Sequence, residues 1–127
     1  CLSGDFNEPS WLDWTEGALK ADLASYVVQW PTTRSLWEGG IKGDAYRTIH
    51  PDPVTHPGFT WTPRPSKKDT KDRLDLTLYT LSPNTEVKSC QVIGENTETS
   101  DIVLPNWGPF ENVFDHRGLR TEFVFTK

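Results

Sequence analysis

The sequence predicts a small α/β layer of the α+β kind, mostly antiparallel strands with one or two short helices on one face. Two segments with period-two alternation and one with clear helix punctuation carry that prediction. From Arg73 to Thr80, Leu74, Leu76 and Leu78 point one way and Arg73, Asp75, Thr77 and Tyr79 the other. That is the pattern of a half-buried strand whose polar face carries a carboxylate. Leu119 to Phe125 alternates in the same manner, with Leu119, Thr121, Phe123 and Phe125 opposite Arg120, Glu122 and Val124. Pro31 suits a first helical position, Leu36 and Trp37 supply an apolar face, and Gly39-Gly40 ends the helix.

The remaining elements follow from turn chemistry. Cys1 to Ser3 read as the end of a strand, with Gly4 permitting a sharp exit that leaves Asp5 and Asn7 on the loop. Glu8 to Trp14 reads as a short helical segment. From His50 to Pro65 the prolines Pro51, Pro53, Pro57, Pro63 and Pro65 break any helix, leaving a loop in which Thr60-Trp61 forms a short extended piece. Glu86 to Ile93 reads as a strand, separated from the previous one by the turn residues Ser82 to Asn84. Gly94 to Arg117 reads as a long loop. With about four strands and about two helices, one sheet face lacks a cover, so the chain pairs with something or belongs to a larger domain.

At 127 residues the chain is one small domain at most. A net charge of −5 argues against a sequence-independent nucleic-acid binder, because such proteins hold phosphates with excess Lys and Arg. A nuclease with a locally basic cleft stays open but is not favoured. The one dense basic run, Arg64 to Arg73, is diluted by Asp69 and Asp72 and reads as a solvated loop. Two cysteines, Cys1 and Cys90, make neither a metal spacing nor a disulfide framework, although one bridge between them stays open. No apolar stretch approaches the ~20 residues of a transmembrane helix, and no signal peptide is visible.

Chemistry-bearing residues fall in three places. Asp5 and Asn7 follow a strand, Asp75 sits on a strand's polar face, and Asp115-His116 end a long loop just before a strand. Carboxylates hold a hard cation such as Mg²⁺, which keeps several waters and also binds substrate phosphate. An imidazole whose second nitrogen meets a carboxylate is fixed in tautomer and orientation and handles a proton near neutral pH. Each piece alone is common. An Asp on a polar strand face usually meets solvent, and a Gly-Asp-Phe-Asn run is most often a turn.

In order, however, Gly4-Asp5-Phe6-Asn7-Glu8-Pro9-Ser10, Asp72-Arg73-Leu74-Asp75 and Asp115-His116-Arg117 resemble the last three signature blocks of the endonuclease/exonuclease/phosphatase family. The similarity extends to Asp44-Ala45-Tyr46-Arg47, His50-Pro51-Asp52 and Thr60-Trp61. The resemblance implies half of a four-layered deoxyribonuclease-I-like β-sandwich, with residues 1–127 as its C-terminal half and the N-terminal half absent. It implies Mg²⁺- or Mn²⁺-dependent hydrolysis of a phosphodiester or phosphomonoester by the parent protein, with this stretch alone nearly inactive. Asp5 would orient or deprotonate the attacking water, and Asn7 would hydrogen-bond a phosphoryl oxygen. Asp75 would pair with His116, which would stabilise or protonate the phosphoryl group, and Asp115 would ligate the metal or support a ligand. Trp61 would line the substrate cleft, with a core aromatic as the competing reading, and Arg73 would brace the Asp75 strand, with a structural ion pair as the competing reading.

The resemblance further implies a partner for the sheet, either the N-terminal half or a second chain. The Glu-Pro-Ser extension and the His-Pro loop are most similar to members exported by bacteria and fungi, which implies secretion. Two departures stand out. Phe114 occupies a position where the family carries a small hydroxyl residue, and the family's N-terminal Asn and Glu metal ligands have no match here. These departures support an alternative, a non-catalytic binding module or pseudoenzyme that retains the fold. Cys1 also suggests an N-terminal nucleophile, although a buried strand residue is the favoured reading. His50 and His56 read as surface residues, and most of Trp11, Trp14, Trp30, Trp37 and Trp107 as core.

Overall fold

The strand predicted around Asp75 is the centre of the molecule. In the computed structural model, which describes residues 1–61, 70–94 and 114–126, β3 (Asp75–Tyr79) runs antiparallel between β1 (Leu2–Asp5) and β2 (Gly43–Asp44). The register sets Asp5 opposite Asp75 and Asp44 opposite Leu78. A second antiparallel sheet pairs β4 (Thr85–Ile93) with β5 (Gly118–Phe125), from Thr85 opposite Phe125 to Ile93 opposite Gly118, with an irregularity between Val87 and Ser89. Three short helices, α1 (Glu16–Lys20), α2 (Pro31–Glu38) and α3 (Ala45–Ile49), complete the described elements. The chain is therefore of mixed α and β content with antiparallel sheets and few helices.

Each helix is held at its start by an acceptor for its orphan amides. The Thr15 hydroxyl accepts from the Ala18 amide at 3.2 Å. Asp44 accepts from the Tyr46 and Arg47 amides at 3.1 and 3.2 Å. For α2 the N-cap position is Trp30, which offers no side-chain acceptor. Glu8 supplies one from a distant turn, accepting from the Thr32 and Thr33 amides at 2.7 and 3.2 Å. Pro31 and Gly39 stand at the first helical position and the C-cap, as their chemistry predicts.

The core joins the two sheets through α3. Ala45, Tyr46, Tyr79, Val87 and Cys90 are buried together, with Ile49, Val92, Leu119 and Phe123 packed on them. Beside it lies a buried ionic network. The Arg73 side chain is fully buried and donates to Asp13 at 3.1 and 2.9 Å and to Asp44 at 3.0 and 2.7 Å. Arg47 donates to Asp13 at 2.7 Å and to the carbonyls of His50, His56 and Pro57. Burial works against charge on Arg73, but the Asp13 and Asp44 carboxylates outweigh it and raise its pKa. Burial likewise favours neutral Asp44, and Arg73 overcomes it, holding that carboxyl below its ordinary range.

Several expectations are corrected. Glu8 to Trp14 forms turns, not a helix. The Trp11 amide donates to the Thr33 hydroxyl on α2 and the Asp13 amide to the Ser10 carbonyl, which fixes a folded-back path. β3 is not half-exposed, because Thr77 and Tyr79 on its supposed polar face are buried at 4% and 6% exposure. Both sides of that strand are covered, so polarity along it did not report solvent. The Ser82–Asn84 turn links the two sheets without pairing the strands that flank it. Asp5 lies within β1, not beyond it. α1, β2 and α3 were not anticipated.

Every residue of β1 is exposed, as are Leu2, Leu81 and Phe125. Among the described residues no helix is long and apolar enough to cross a membrane. Cys1 is exposed and free, and Cys90 is buried and free. Arg64, Lys67, Lys68, Trp107 and most of the 94–117 loop lie outside the described residues.

Candidate active site

The end of β1, the start of β3 and the residues before β5 meet at one edge of the fold. The register that places Asp5 opposite Asp75 brings two carboxylates to adjacent strand ends. His116 arrives from the other sheet and places Nδ1 2.8 Å from Asp75 Oδ2. Its Nε2 faces Asp5 Oδ2 at 3.9 Å. The first contact is a short, charge-assisted hydrogen bond when the ring is protonated. The second is too long for a direct hydrogen bond, and an oxygen bonded to both groups would lie to one side of the line joining them.

Electrostatics favour a protonated ring. Partial burial works against the imidazolium, but the Asp75 hydrogen bond and the charges of Asp75, Asp5 and Asp115 outweigh it, so the His116 pKa is raised. With Nδ1 held by Asp75, Nε2 is turned toward the space beside Asp5, where the protonated ring would present a donor.

The other expected residues fall into place unevenly. Asn7 takes a left-handed backbone conformation, φ 50°, and its amide donates to Asp5 Oδ1 at 2.8 Å, orienting that carboxylate. This is the local side-chain-to-backbone turn that Asp readily forms. Trp61 is half-buried, and its ring lies 5.0 Å from the His116 ring. Asp115 is exposed and reaches His116 through its charge. Phe114, beside it, is also exposed. Asp5, Asp75, His116 and Trp61 are thus brought together, Asn7 joins through its backbone, and Asp115 stands at the margin.

Among the described residues no three His, Cys, Asp or Glu side chains gather in a way that holds a metal ion. Asp5 spends one oxygen on the Asn7 amide, and Asp75 spends one on His116.

Sequence reasoning missed what supports the site. Thr60 is fully buried, and its hydroxyl accepts from the Leu74 and Asp75 amides, each at 3.0 Å. Asp72 accepts a bond from Trp14 Nε1 at 2.9 Å while its backbone pairs with Trp61. Burial and the nearby Asp13 charge raise the Asp72 pKa against that hydrogen bond. The available signal was the polar residue Thr60 inside an otherwise aromatic extended piece. His56 is exposed as expected, whereas His50 is half-buried, with Nε2 3.2 Å from the Cys90 carbonyl and its ring stacked 4.8 Å from His56. Both line an open hollow of about 370 Å³ that includes none of Asp5, Asp75 or His116.

Comparison with known proteins adds one relative. An uncharacterized protein of Caenorhabditis elegans is 44% identical over 61 residues, a stretch that covers 48% of this chain and 19% of that protein. The match spans under a fifth of the relative's length, and its description assigns no activity. No protein-family profile and no solved structure matches the chain.

Proposed function

We propose that this chain supplies one wall of a hydrolytic site for phosphate esters, within a protein of the endonuclease/exonuclease/phosphatase kind. The observation that carries the reading is the Asp75–His116 pair, with Nδ1 2.8 Å from the carboxylate and Nε2 turned toward Asp5. It gives a positioned acid next to a positioned carboxylate, flanked by an aromatic ring. The order of the three sequence blocks supports the same reading and extends it to the C-terminal half of a deoxyribonuclease-I-like sandwich. The exposed β1 strand and the exposed Leu2 and Phe125 side chains support a covering partner, either an N-terminal half or a second chain.

In the proposed reaction a water sits in the gap between Asp5 and the phosphorus. Asp5 takes its proton as the new P–O bond forms and the P–O bond to the leaving group breaks, and the departing alkoxide takes a proton from solvent water. His116 Nε2–H donates to a phosphoryl oxygen as negative charge builds there, which lowers the barrier because the donor is already in place. Asp75 fixes the orientation of the ring and stabilises its positive charge. The Asn7 side chain would donate to a second phosphoryl oxygen, and Trp61 would pack on the substrate's non-reacting part. Mg²⁺ or Mn²⁺ belongs to the proposal as a cofactor that polarises the phosphoryl group. Asp115 would be its contribution from this chain, and the other ligands would lie outside the described residues.

The test is hydrolysis of bis-p-nitrophenyl phosphate and p-nitrophenyl phosphate by the full-length protein in Mg²⁺ or Mn²⁺. The expected result is metal-dependent turnover of at least one ester, reduced roughly 10²–10⁴-fold by His116→Ala. Turnover that survives His116→Ala unchanged, or no turnover with either metal, contradicts the proposal.

A further inference from the structure

Asp75 and His116 belong to different sheets. Asp75 begins β3 in the β1-β3-β2 sheet, and His116 precedes β5 in the β4-β5 sheet. β3 and β5 pack together through the core but share no strand ladder, so any backbone hydrogen bonds that join the two sides of the 2.8 Å contact come from another segment. The segment that reaches both sides is Thr60-Trp61. Trp61 forms one antiparallel bridge with Asp72 and another with His116. The Thr60 carbonyl accepts from the Arg117 amide at 2.8 Å, and the Thr60 amide donates to the Asp72 carbonyl at 3.0 Å. One extended residue pair therefore splices the two sheets at the site.

Within that splice the Thr60 hydroxyl has a specific task. On one edge the Leu74 carbonyl accepts from the Phe6 amide at 2.9 Å, so the chain entering β3 is tied to the β1 side. The Leu74 and Asp75 amides donate to the single oxygen of Thr60, at 3.0 Å each. A hydroxyl has two lone pairs, and both are engaged in this way. The residue is fully buried, so water does not replace the acceptor if it is lost.

We propose that Thr60 is the positioning residue of the Asp75–His116 pair, its hydroxyl fixing the backbone of Asp75 while its carbonyl fixes the backbone next to His116. It touches no substrate, and it acts through the two groups that do. Whether those groups hydrolyse phosphate esters rests on the reading above, but the positioning itself is a matter of geometry. The side chain has to be short, branched or not, and has to carry an acceptor. Serine meets the requirement, and valine, of nearly equal shape, does not.

The experiment compares wild type, Thr60→Ser and Thr60→Val in the full-length protein, labelled with ¹⁵N at His, Leu and Asp. Two signals are read. One is the low-field Nδ1 proton of His116 in its bond to Asp75, and the other is hydrogen exchange at the Leu74 and Asp75 amides. The serine variant is expected to keep the low-field proton and wild-type exchange at both amides. The valine variant is expected to lose or broaden that proton and to speed exchange at both amides by roughly tenfold or more. A valine variant that keeps both signals overturns the proposal, as does a serine variant that loses them. If the valine variant does not fold, the decision passes to serine and to wild type. Leu74 or Asp75 amides that exchange in wild type as fast as open-loop amides also overturn it. None of these readouts depends on turnover. Signals as expected with no ester hydrolysis would remove the hydrolytic reading and keep Thr60 as the positioning residue.

Discussion

Replacing Arg73 by Met tests the ionic network that stands beside the site. The side chain is fully buried and makes four charge-assisted bonds to Asp13 and Asp44, at 2.7 to 3.1 Å. Without it, Asp13 keeps the Arg47 bond at 2.7 Å and Asp44 keeps the Tyr46 and Arg47 amides. Two buried carboxylates then share one arginine, and one negative charge is left without a counter-ion. Breaking a buried pair from one side costs about 3–5 kcal/mol. For a chain of this size that corresponds to a fall in Tm of roughly 10–20 °C.

The assay is thermal unfolding of wild type and Arg73→Met between pH 3 and pH 7. The sign follows from Asp44. Arg73 depresses its folded pKa, so the pairing stabilises the fold above the ordinary carboxylate range and is lost as pH falls through the folded value. The gap between the two proteins is therefore expected to be large at pH 7 and to narrow below about pH 4. A Tm loss under about 3 °C at pH 7, or a gap that does not change with pH, would refute the reasoning.

Three further outcomes are expected. Gly58 has φ +67°, and a Cβ there would overlap the Tyr46 ring. Gly58→Ala should lower stability by about 1–3 kcal/mol, read by urea unfolding. The raised His116 pKa means that its protonated form stabilises the fold fully below about pH 6.5, and that this contribution is lost as pH rises through the folded value. In Asp75→Asn, an NMR titration of the metal-free protein should show the His116 pKa falling toward its ordinary value, and an unchanged titration would contradict the pairing. Glu8→Gln should weaken the start of α2, where Glu8 accepts the Thr32 and Thr33 amides, by about 0.5–1 kcal/mol in the same unfolding assay.

Periodicity made some of the fold legible and left the rest hidden for identifiable reasons. β5 keeps its alternation because one of its faces meets solvent, and α2 keeps its Pro and Gly signals because both ends are local. β3 misled, since Thr77 and Tyr79 are buried as deeply as Leu76 and Leu78. α3 spans only five residues and depends on a cap from Asp44, too short for a helical period to register. Glu8 to Trp14 reads as a short helical segment, yet Trp11 and Trp14 pack on Trp37 and Trp30 from turns.

Asp5, Asn7, Asp75 and His116 drew notice as candidates because of their side-chain chemistry and order, and the structure places them near one another. Of their support, Arg73 was foreseen as a brace or an ion pair, but neither its partners nor the role of Thr60 was. Arg73 meets Asp13 across 60 positions and Asp44 across 29, and the Thr60 hydroxyl acts on backbone amides that leave no mark in the sequence.

The central claim is that Asp75 and His116 work as one unit in phosphate-ester hydrolysis. The most direct measurement is a double-mutant cycle in kcat/KM for the full-length protein with Mg²⁺, using Asp75→Asn and His116→Ala. Residues that act together lose activity non-additively. The expected result is that the double variant is no slower than His116→Ala alone. Losses that multiply, or single variants that hydrolyse the ester as fast as wild type, would contradict the claim.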